Sequence, residues 1–196
     1  SWLFGLKAEG NLGDVVGTGD VVELARMGRL NADANFLVGT AFSGFRTYLD
    51  PIFSDTNRRA HEFIFSGTAK SSFGSRLPAN FLNVLGGANT IRGYSVAAAS
   101  GDSSFYAQFD YRLHLNRYFP TKESESDFRF NPRFKGDMPP VDLSLGFFTD
   151  YGVIDTIDEF AFEDSGDLWS AGIGIYGKAN RYLTFSAQYG WILLDY

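Results

Sequence analysis

Cysteine is absent from the 196-residue sequence, and methionine occurs only twice. Without cysteine the chain can form no disulfide, no thiolate metal site and no cysteine nucleophile. Long apolar runs are missing as well, since no stretch approaches the roughly 18 consecutive apolar residues of a membrane-spanning helix. The first residues do not have the pattern of a signal peptide, because no basic segment precedes an apolar one. If the chain crosses a membrane, we therefore expect strands to carry it across.

Positive charge is scarce too. The chain has 17 Lys and Arg residues against 23 Asp and Glu residues, which gives a formal net charge of -6 and a pI near 4.9. Proteins that bind nucleic acid need clustered basic side chains that displace counterions from phosphates. The composition therefore excludes nucleic acid as a partner.

Recognisable catalytic patterns are also lacking. The sequence contains no nucleophile elbow, no phosphate-binding loop and no pair of histidines at metal-ligand spacing. His61 and His114 fall on separate predicted strands without a local partner, and we interpret both as structural residues. We therefore predict a protein that is not an enzyme and that uses no cofactor, no metal and no small-molecule substrate.

Aromatic residues and glycine are abundant instead, with 20 Phe, 10 Tyr, 3 Trp and 22 Gly. Aromatic side chains favour strands, and glycine favours the turns between them. This composition predicts an all-β fold.

Seven segments alternate between an apolar face and a more polar face, which is the pattern of a strand. In 105–115, for example, Phe105, Phe109 and Leu113 oppose Asp110 and Arg112. The charged residues of this segment all share one side. The seven segments are 2–12, 30–38, 62–70, 105–115, 141–150, 168–177 and 182–193, and 20–28 is a doubtful eighth.

Strands of roughly 9 to 11 residues with this alternation are typical of an outer-membrane β-barrel. A water-soluble sandwich also alternates, and periodicity alone leaves both folds open. Long connections at 43–60, 73–104, 118–140 and 153–167 contrast with a tight turn at 179–181. Transmembrane barrels typically have long loops at one end and short turns at the other. The pattern is therefore compatible with an antiparallel transmembrane β-barrel.

Residues 73–94, FGSRLPANFLNVLGGANTIRGY, contain the most specific pattern in the chain. They present in order Leu77-Pro78, Phe81, the pair Gly86-Gly87, and the tetrad Ile91-Arg92-Gly93-Tyr94, which we call the IRGY motif. Three shorter patterns follow on predicted strands: Asp110-Tyr111-Arg112, Phe148-Thr149-Asp150-Tyr151-Gly152 and Ala171-Gly172-Ile173-Gly174.

This ordered set resembles the BamA superfamily of outer-membrane proteins, which includes TamA, the two-partner secretion transporters and organellar homologues. The resemblance is strongest over 73–190. It implies a long loop that carries the IRGY motif into the barrel lumen, with a turn at Gly86 and Gly87. The strand residues implied as partners of this loop are Asp110, Arg112, Phe148, Asp150 and Gly152.

The resemblance also implies a barrel of about sixteen strands that follows soluble POTRA repeats. Residues 1–196 are accordingly expected to be the C-terminal part of such a barrel, with 73–104 as the loop. We expect the POTRA repeats and the first barrel strands to lie outside this chain.

Elementary electrostatics supports the same arrangement. Asp110 and Asp150 fall by parity on the polar side of their strands, and two carboxylates enclosed in a lumen need a cation. Arg92 could bridge both with its planar guanidinium. Gly93 would allow a close approach of the backbone, and Tyr94 would wedge the loop in place. Alternatively, Arg92 is a solvated loop residue and the aspartates pair locally with Arg112 or water.

The implied function is insertion and folding of β-barrel proteins in the outer membrane of a Gram-negative bacterium, with an organellar membrane as the less favoured location. The family mechanism offers free backbone groups at a weakly closed seam to a client strand. The expected partners are membrane lipid, client β-barrel or secreted proteins, and accessory lipoproteins. The alternatives are a two-partner secretion transporter, a small passive channel or adhesin barrel, and the barrel of a surface phospholipase.

Two other segments have weaker interpretations. The acidic loop lacks an EF-hand pattern, so we expect it to be solvated in preference to binding Ca²⁺. The N-terminal glycines lack the strand-then-helix setting of a dinucleotide site and predict a hairpin loop. These residues are Asp155, Asp158, Glu159, Glu163, Asp164 and Asp167 in the acidic loop, and Gly13, Gly17 and Gly19 near the N-terminus.

Overall fold

A computed structural model of the chain describes residues 1–11, 28–53, 58–123, 126, 128–163, 165–180 and 182–194. Within these residues the fold is all-β, with one helix of four residues, α1 (Asp50–Phe53), and two short 3-10 helices (Ala79–Phe81 and Leu115–Tyr118). The N-terminal glycines of the predicted hairpin and nearly all of the doubtful strand 20–28 lie outside the described residues.

None of the described helices is long and apolar enough to cross a membrane.

Nine strands occur in the described part of the chain. They are β1 (Trp2–Asn11), β2 (Phe36–Tyr48), β3 (His61–Ser71), β4 (Asn83–Leu85), β5 (Ala99–Gly101), β6 (Ser103–His114), β7 (Val141–Asp155), β8 (Gly166–Ala179) and β9 (Leu183–Leu194). Seven of them form one antiparallel sheet in the order β1-β2-β3-β6-β7-β8-β9, and β4 pairs with β5. Antiparallel pairing of successive long strands is the topology of an up-and-down barrel wall.

The two faces of this sheet have opposite chemistry. On the face that we call the outer face, aromatic and aliphatic side chains such as Phe109, Phe147 and Ile173 are 38–56% exposed. On the inner face, Asp110 and Asp150 are buried. An exposed apolar face opposite a buried polar face is the reverse of a water-soluble protein, and it is typical of a barrel wall that meets lipid. The fold is therefore that of a transmembrane β-barrel wall.

The second strand corrects the sequence prediction. A strand was expected at 30–38 and a loop at 43–60, whereas β2 spans 36–48 and only 49–60 connects it to β3. The residues before β2 leave the strand because Asn31 has a positive φ of 54° and Asp33 pairs with Arg76. The Arg76 amide donates to the Asp33 carboxylate at 2.7 Å, and the Asp33 amide donates to the Arg76 carbonyl at 2.8 Å.

Long connections occur at both ends of the sheet, unlike the typical barrel with long loops at one end and short turns at the other. Segments 72–102 and 156–165 leave from one end, which we call the motif end. Segments 49–60 and 115–140 leave from the other end, which we call the turn end, together with the short connection between β8 and β9. The long segment 115–140 is tied back to the sheet, because the Asn116 amide group donates to the carbonyls of Val141 at 2.5 Å and Phe130 at 3.2 Å.

Segment 72–102 lies on the inner face and packs there through two small apolar clusters. Leu77 packs against Phe36 and Val38 of β2. Further along the segment, Leu85, Ile91 and Ala99 pack against Ile154 of β7 and Leu168 of β8. Burial of these apolar side chains stabilises the position of the segment on the wall, in addition to its polar contacts.

The outer face gives a direct test of the membrane setting. Replacing Phe147, near the middle of β7, with arginine should destabilise the membrane-inserted protein by about 2–4 kcal/mol, because a cation on the lipid face must leave water. Phe134→Arg is the matched control, since Phe134 is also exposed but lies in the connection 115–140. Urea unfolding in lipid vesicles would measure both variants. Equal effects of the two substitutions would contradict a lipid-facing outer surface.

Candidate functional site

The IRGY motif lies in the loop between β4 and β5. Gly86 and Gly87 start this loop with φ values of 109° and 88°, which L-residues with a side chain rarely adopt. The Thr90 hydroxyl then closes the turn, since it accepts the Gly86 amide at 2.8 Å and donates to the Gly86 carbonyl at 2.9 Å. The two glycines and Thr90 therefore fix the start of the loop, and the motif follows directly.

Arg92 lies between the two aspartates of the inner face. Its Nε and Nη2 donate to the two carboxylate oxygens of Asp150 at 2.7 and 2.6 Å. Its Nη1 and Nη2 donate to the two oxygens of Asp110 at 2.8 and 3.1 Å. The Arg92 backbone amide adds a further bond to Asp150 at 2.9 Å. Two bidentate carboxylate pairs on one guanidinium fix both its position and its plane.

A second arginine balances the charge of this cluster. Arg92 alone would leave one negative charge unmatched beside two carboxylates. Arg112 lies 3.9 Å from Asp110, and its guanidinium stacks on the Tyr176 ring at 4.0 Å. Arg112 was predicted among the strand partners of the loop, and it contacts Asp110 and Tyr176. It supports the loop by compensating charge, which lowers the cost of burying the carboxylates.

The register of the sheet explains why these residues meet. Asp110 pairs with Phe148, Phe148 with Gly172, and Gly172 with Gly190, so the four form one row across β6, β7, β8 and β9. A Cβ on Gly172 would collide with the Phe148 ring. The missing side chain therefore lets this ring lie along the wall, where the Arg92 Cζ stacks 3.8 Å above its centre.

Two further glycines of the wall, Gly152 and Gly190, leave space for the residues on either side of Arg92. A Cβ on Gly152 would lie 2.9 Å from the Ile91 side chain, so the glycine leaves the space that Ile91 fills. Gly93 has a φ of 95°, and a Cβ on Gly190 would lie 3.0 Å from the Gly93 backbone. The backbone of the motif therefore touches the backbone of β9 at Gly190. Further along β9, the Tyr94 hydroxyl contacts the Leu194 carbonyl.

A second ionic cluster at the motif end was not predicted. Arg29 donates to both oxygens of Asp102 at 2.5 and 2.8 Å, and Asp102 also accepts the amides of Leu77 and Ile157. Arg29 and Arg76 both bind Glu163 at 2.7–2.9 Å. This cluster joins the residues before β2, the start of segment 72–102 and the connection 156–165. Nothing in the local sequence pairs charges that lie so far apart along the chain.

The same cluster corrects the interpretation of the acidic loop. Glu163 was expected to be solvated, but its side chain is only 14% exposed and receives two arginines. Burial alone would raise the pKa of Glu163, and the hydrogen bonds from Arg29 and Arg76 outweigh that effect and lower its pKa below the usual value. Among the described residues, no group of three or more His, Asp or Glu could hold a metal ion.

The two histidines, interpreted from the sequence as structural residues, have hydrogen-bond partners on neighbouring strands. At the turn end of the sheet, opposite the motif end, His114 places Nδ1 2.7 Å from Asp142 and Nε2 3.1 Å from Glu62. His61 Nδ1 lies 2.5 Å from the Tyr111 hydroxyl. The contacts of His114 link β3, β6 and β7, so they brace the strand ends.

Comparison of the sequence with protein-family models and with curated proteins finds no match. A solved structure, CdiB from Escherichia coli, is similar in fold with a TM-score of 0.60. The two are 18% identical over 83% of this chain, and the chain spans 25% of the length of that structure. The likeness shows a shared β-barrel fold.

The geometry of Arg92 predicts unequal roles for its two carboxylates. Asp150→Ala removes three hydrogen bonds from Arg92 and should lower the free energy of unfolding by about 3 kcal/mol or more. Asp110→Ala removes two and should cost about 1.5–3 kcal/mol. Urea unfolding in lipid vesicles would measure both. Asp155→Ala, at the exposed end of β7, is the control and should have little effect. Equal, small losses for all three would show that Arg92 is solvated.

Proposed function

We propose that this chain is part of a β-barrel that transports proteins across, or inserts them into, the outer membrane of a Gram-negative bacterium. The observation that carries the proposal is the IRGY motif docked on the inner face, with Arg92 bound by Asp110 and Asp150. The exposed apolar outer face supports a membrane location. The barrel fold shared with CdiB, an outer-membrane two-partner secretion transporter, supports a transport function.

The chemistry of the site suits holding a loop more than reacting with a substrate. All four carboxylate oxygens of Asp110 and Asp150 accept bonds from Arg92. A guanidinium stays protonated at any physiological pH, so Arg92 is a poor proton donor or acceptor. Its hydrogen bonds attach the loop to β6 and β7. The proposed role of the site is therefore to position segment 72–102 against the wall while the barrel handles another polypeptide.

The free-energy cost of releasing the loop determines whether it can leave the wall one residue at a time. Removing one member of a buried ion pair leaves the charge of the other member uncompensated, which costs about 3–5 kcal/mol of stability. Arg92 has two partners, and Ile91 and Gly93 make separate contacts with β7 and β9. We infer that the loop leaves the wall as a unit or stays docked.

Two activities fit the proposal. Secretion of an unfolded protein through the lumen is supported by the fold shared with CdiB. Insertion of β-barrel clients at the seam is supported by the resemblance of the IRGY motif to the BamA superfamily. We further propose that the native polypeptide carries POTRA repeats before the barrel, and that its partners are lipid, client proteins and accessory lipoproteins.

Depletion of the native protein would separate these activities. If the protein is an insertase, many outer-membrane β-barrels should decrease together. If it is a secretion transporter, one exported protein should disappear from the medium while the other barrels keep their abundance. A steady ion conductance with neither defect would instead identify a passive channel and would overturn the proposal.

Arg92 should be required for either activity. Arg92→Ala in the native polypeptide should reduce secretion or client insertion by roughly tenfold or more at equal abundance in the membrane. Arg92→Lys should recover little, because an ammonium lacks the planar fork that fits two carboxylates. Arg133→Ala is the control, since Arg133 is exposed in the connection 115–140. Wild-type activity of Arg92→Ala at normal abundance would contradict the proposed role.

A further inference from the structure

The pairing of β8 with β9 contains an irregularity near the motif end. Ser170 pairs with Ile192, but the next residue of β8, Trp169, pairs with Leu194. Leu193 is therefore an extra residue on β9, and the two strands form a β-bulge at this position. A bulge interrupts the ladder of backbone hydrogen bonds and leaves some of its groups in need of other partners.

The hydroxyl of Tyr94 lies at this bulge. The Trp169 amide donates to the Tyr94 hydroxyl oxygen at 3.1 Å. The hydroxyl is also within hydrogen-bond reach of the Trp169 carbonyl, at 3.1 Å, and of the Leu194 carbonyl. A single hydroxyl can accept one bond and donate one, so Tyr94 can bridge an amide of β8 and a carbonyl of β9.

The position of this hydroxyl depends on the rest of the motif. Arg92 is fixed by Asp110 and Asp150, and Gly93 packs its backbone against Gly190. Tyr94 follows two residues later than Arg92, so docking of Arg92 and Gly93 brings the Tyr94 hydroxyl to the bulge. The motif therefore contacts β9 at Gly190 and again at Leu194, which are both on the same strand.

We propose that Tyr94 is a positioning residue that holds the β8–β9 bulge in its register and makes the pairing of β9 depend on docking of the IRGY loop. With the loop docked, the hydroxyl completes the bonds of the bulge. With the loop released, the Trp169 amide and the Leu194 carbonyl lose this partner and the end of β9 loosens. This inference deepens the proposed function and rests on it for its biological meaning, because it gives the loop control over a strand of the barrel.

Hydrogen exchange of the native, membrane-inserted protein tests this coupling. Tyr94→Phe keeps the ring and removes the hydroxyl, so exchange of the Trp169 amide should rise by roughly fivefold, the equilibrium factor of one ordinary hydrogen bond. Exchange in β2 and β3 should not change. Tyr189→Phe is the matched control, because Tyr189 is an exposed tyrosine of β9, and it should leave the Trp169 amide unaffected.

Removal of the bulge provides an independent test. Deletion of Leu193 would allow β8 and β9 to pair without interruption, so Tyr94→Phe should no longer change exchange at Trp169 in that background. Two results would overturn the proposal: unchanged exchange at Trp169 in Tyr94→Phe, or an equal rise across all strands, which would indicate a general loss of stability. An effect of Tyr94→Phe that persists without Leu193 would also overturn it.

The exchange experiment needs no client protein. It reports on the resting barrel, so its outcome is independent of the activity assigned to the protein. Failure of the proposed function would be seen only in secretion or insertion measured after depletion. The two ideas can therefore fail separately.

Discussion

The bond between Arg92 and the two aspartates of the inner face is the interaction on which the rest of the site depends. A guanidinium and two carboxylates are stable away from water only when each group meets the others with good geometry. Asp110 and Asp150 come from neighbouring strands, and Arg92 comes from the loop between β4 and β5, 21 residues after β3 ends at Ser71. This bond fixes the loop and, through it, the residues on either side.

The wall is shaped to receive this loop. Glycines at 152, 172 and 190 leave space for Ile91, for the Phe148 ring and for the backbone of Gly93, in that order. Each of these positions faces inward in the observed register, so the groove runs across β7, β8 and β9. The surface is complementary to the IRGY motif in shape as well as in charge. A loop without Arg92 would leave the Asp110 and Asp150 carboxylates without the guanidinium that binds them.

Parity along the strands was enough to place Asp110 and Asp150 on the same side of the sheet, because alternation fixes the direction of each side chain once a strand is identified. The strand at 36–48 was misplaced because residues 30–35 alternate like a strand, whereas the positive φ of Asn31 and the pairing of Asp33 with the distant Arg76 take them out of the sheet. The cluster of Arg29, Asp102 and Glu163 was missed for a related reason. Its members lie in loops, where no periodicity indicates which charges meet, and its ion pairs span separations of 73 to 134 residues.

The most direct test of the account is the position of the IRGY loop relative to the wall. Because the chain contains no cysteine, single cysteines can be introduced at the exposed Val96 and Leu183 and spin-labelled in the membrane-inserted protein. Pulsed electron paramagnetic resonance spectroscopy would give the distribution of distances between the two spin labels. We expect one narrow distribution for the otherwise native protein and a broad one after Arg92→Ala. A distribution that stays narrow and unchanged without the guanidinium would contradict the claim that Arg92 holds the loop.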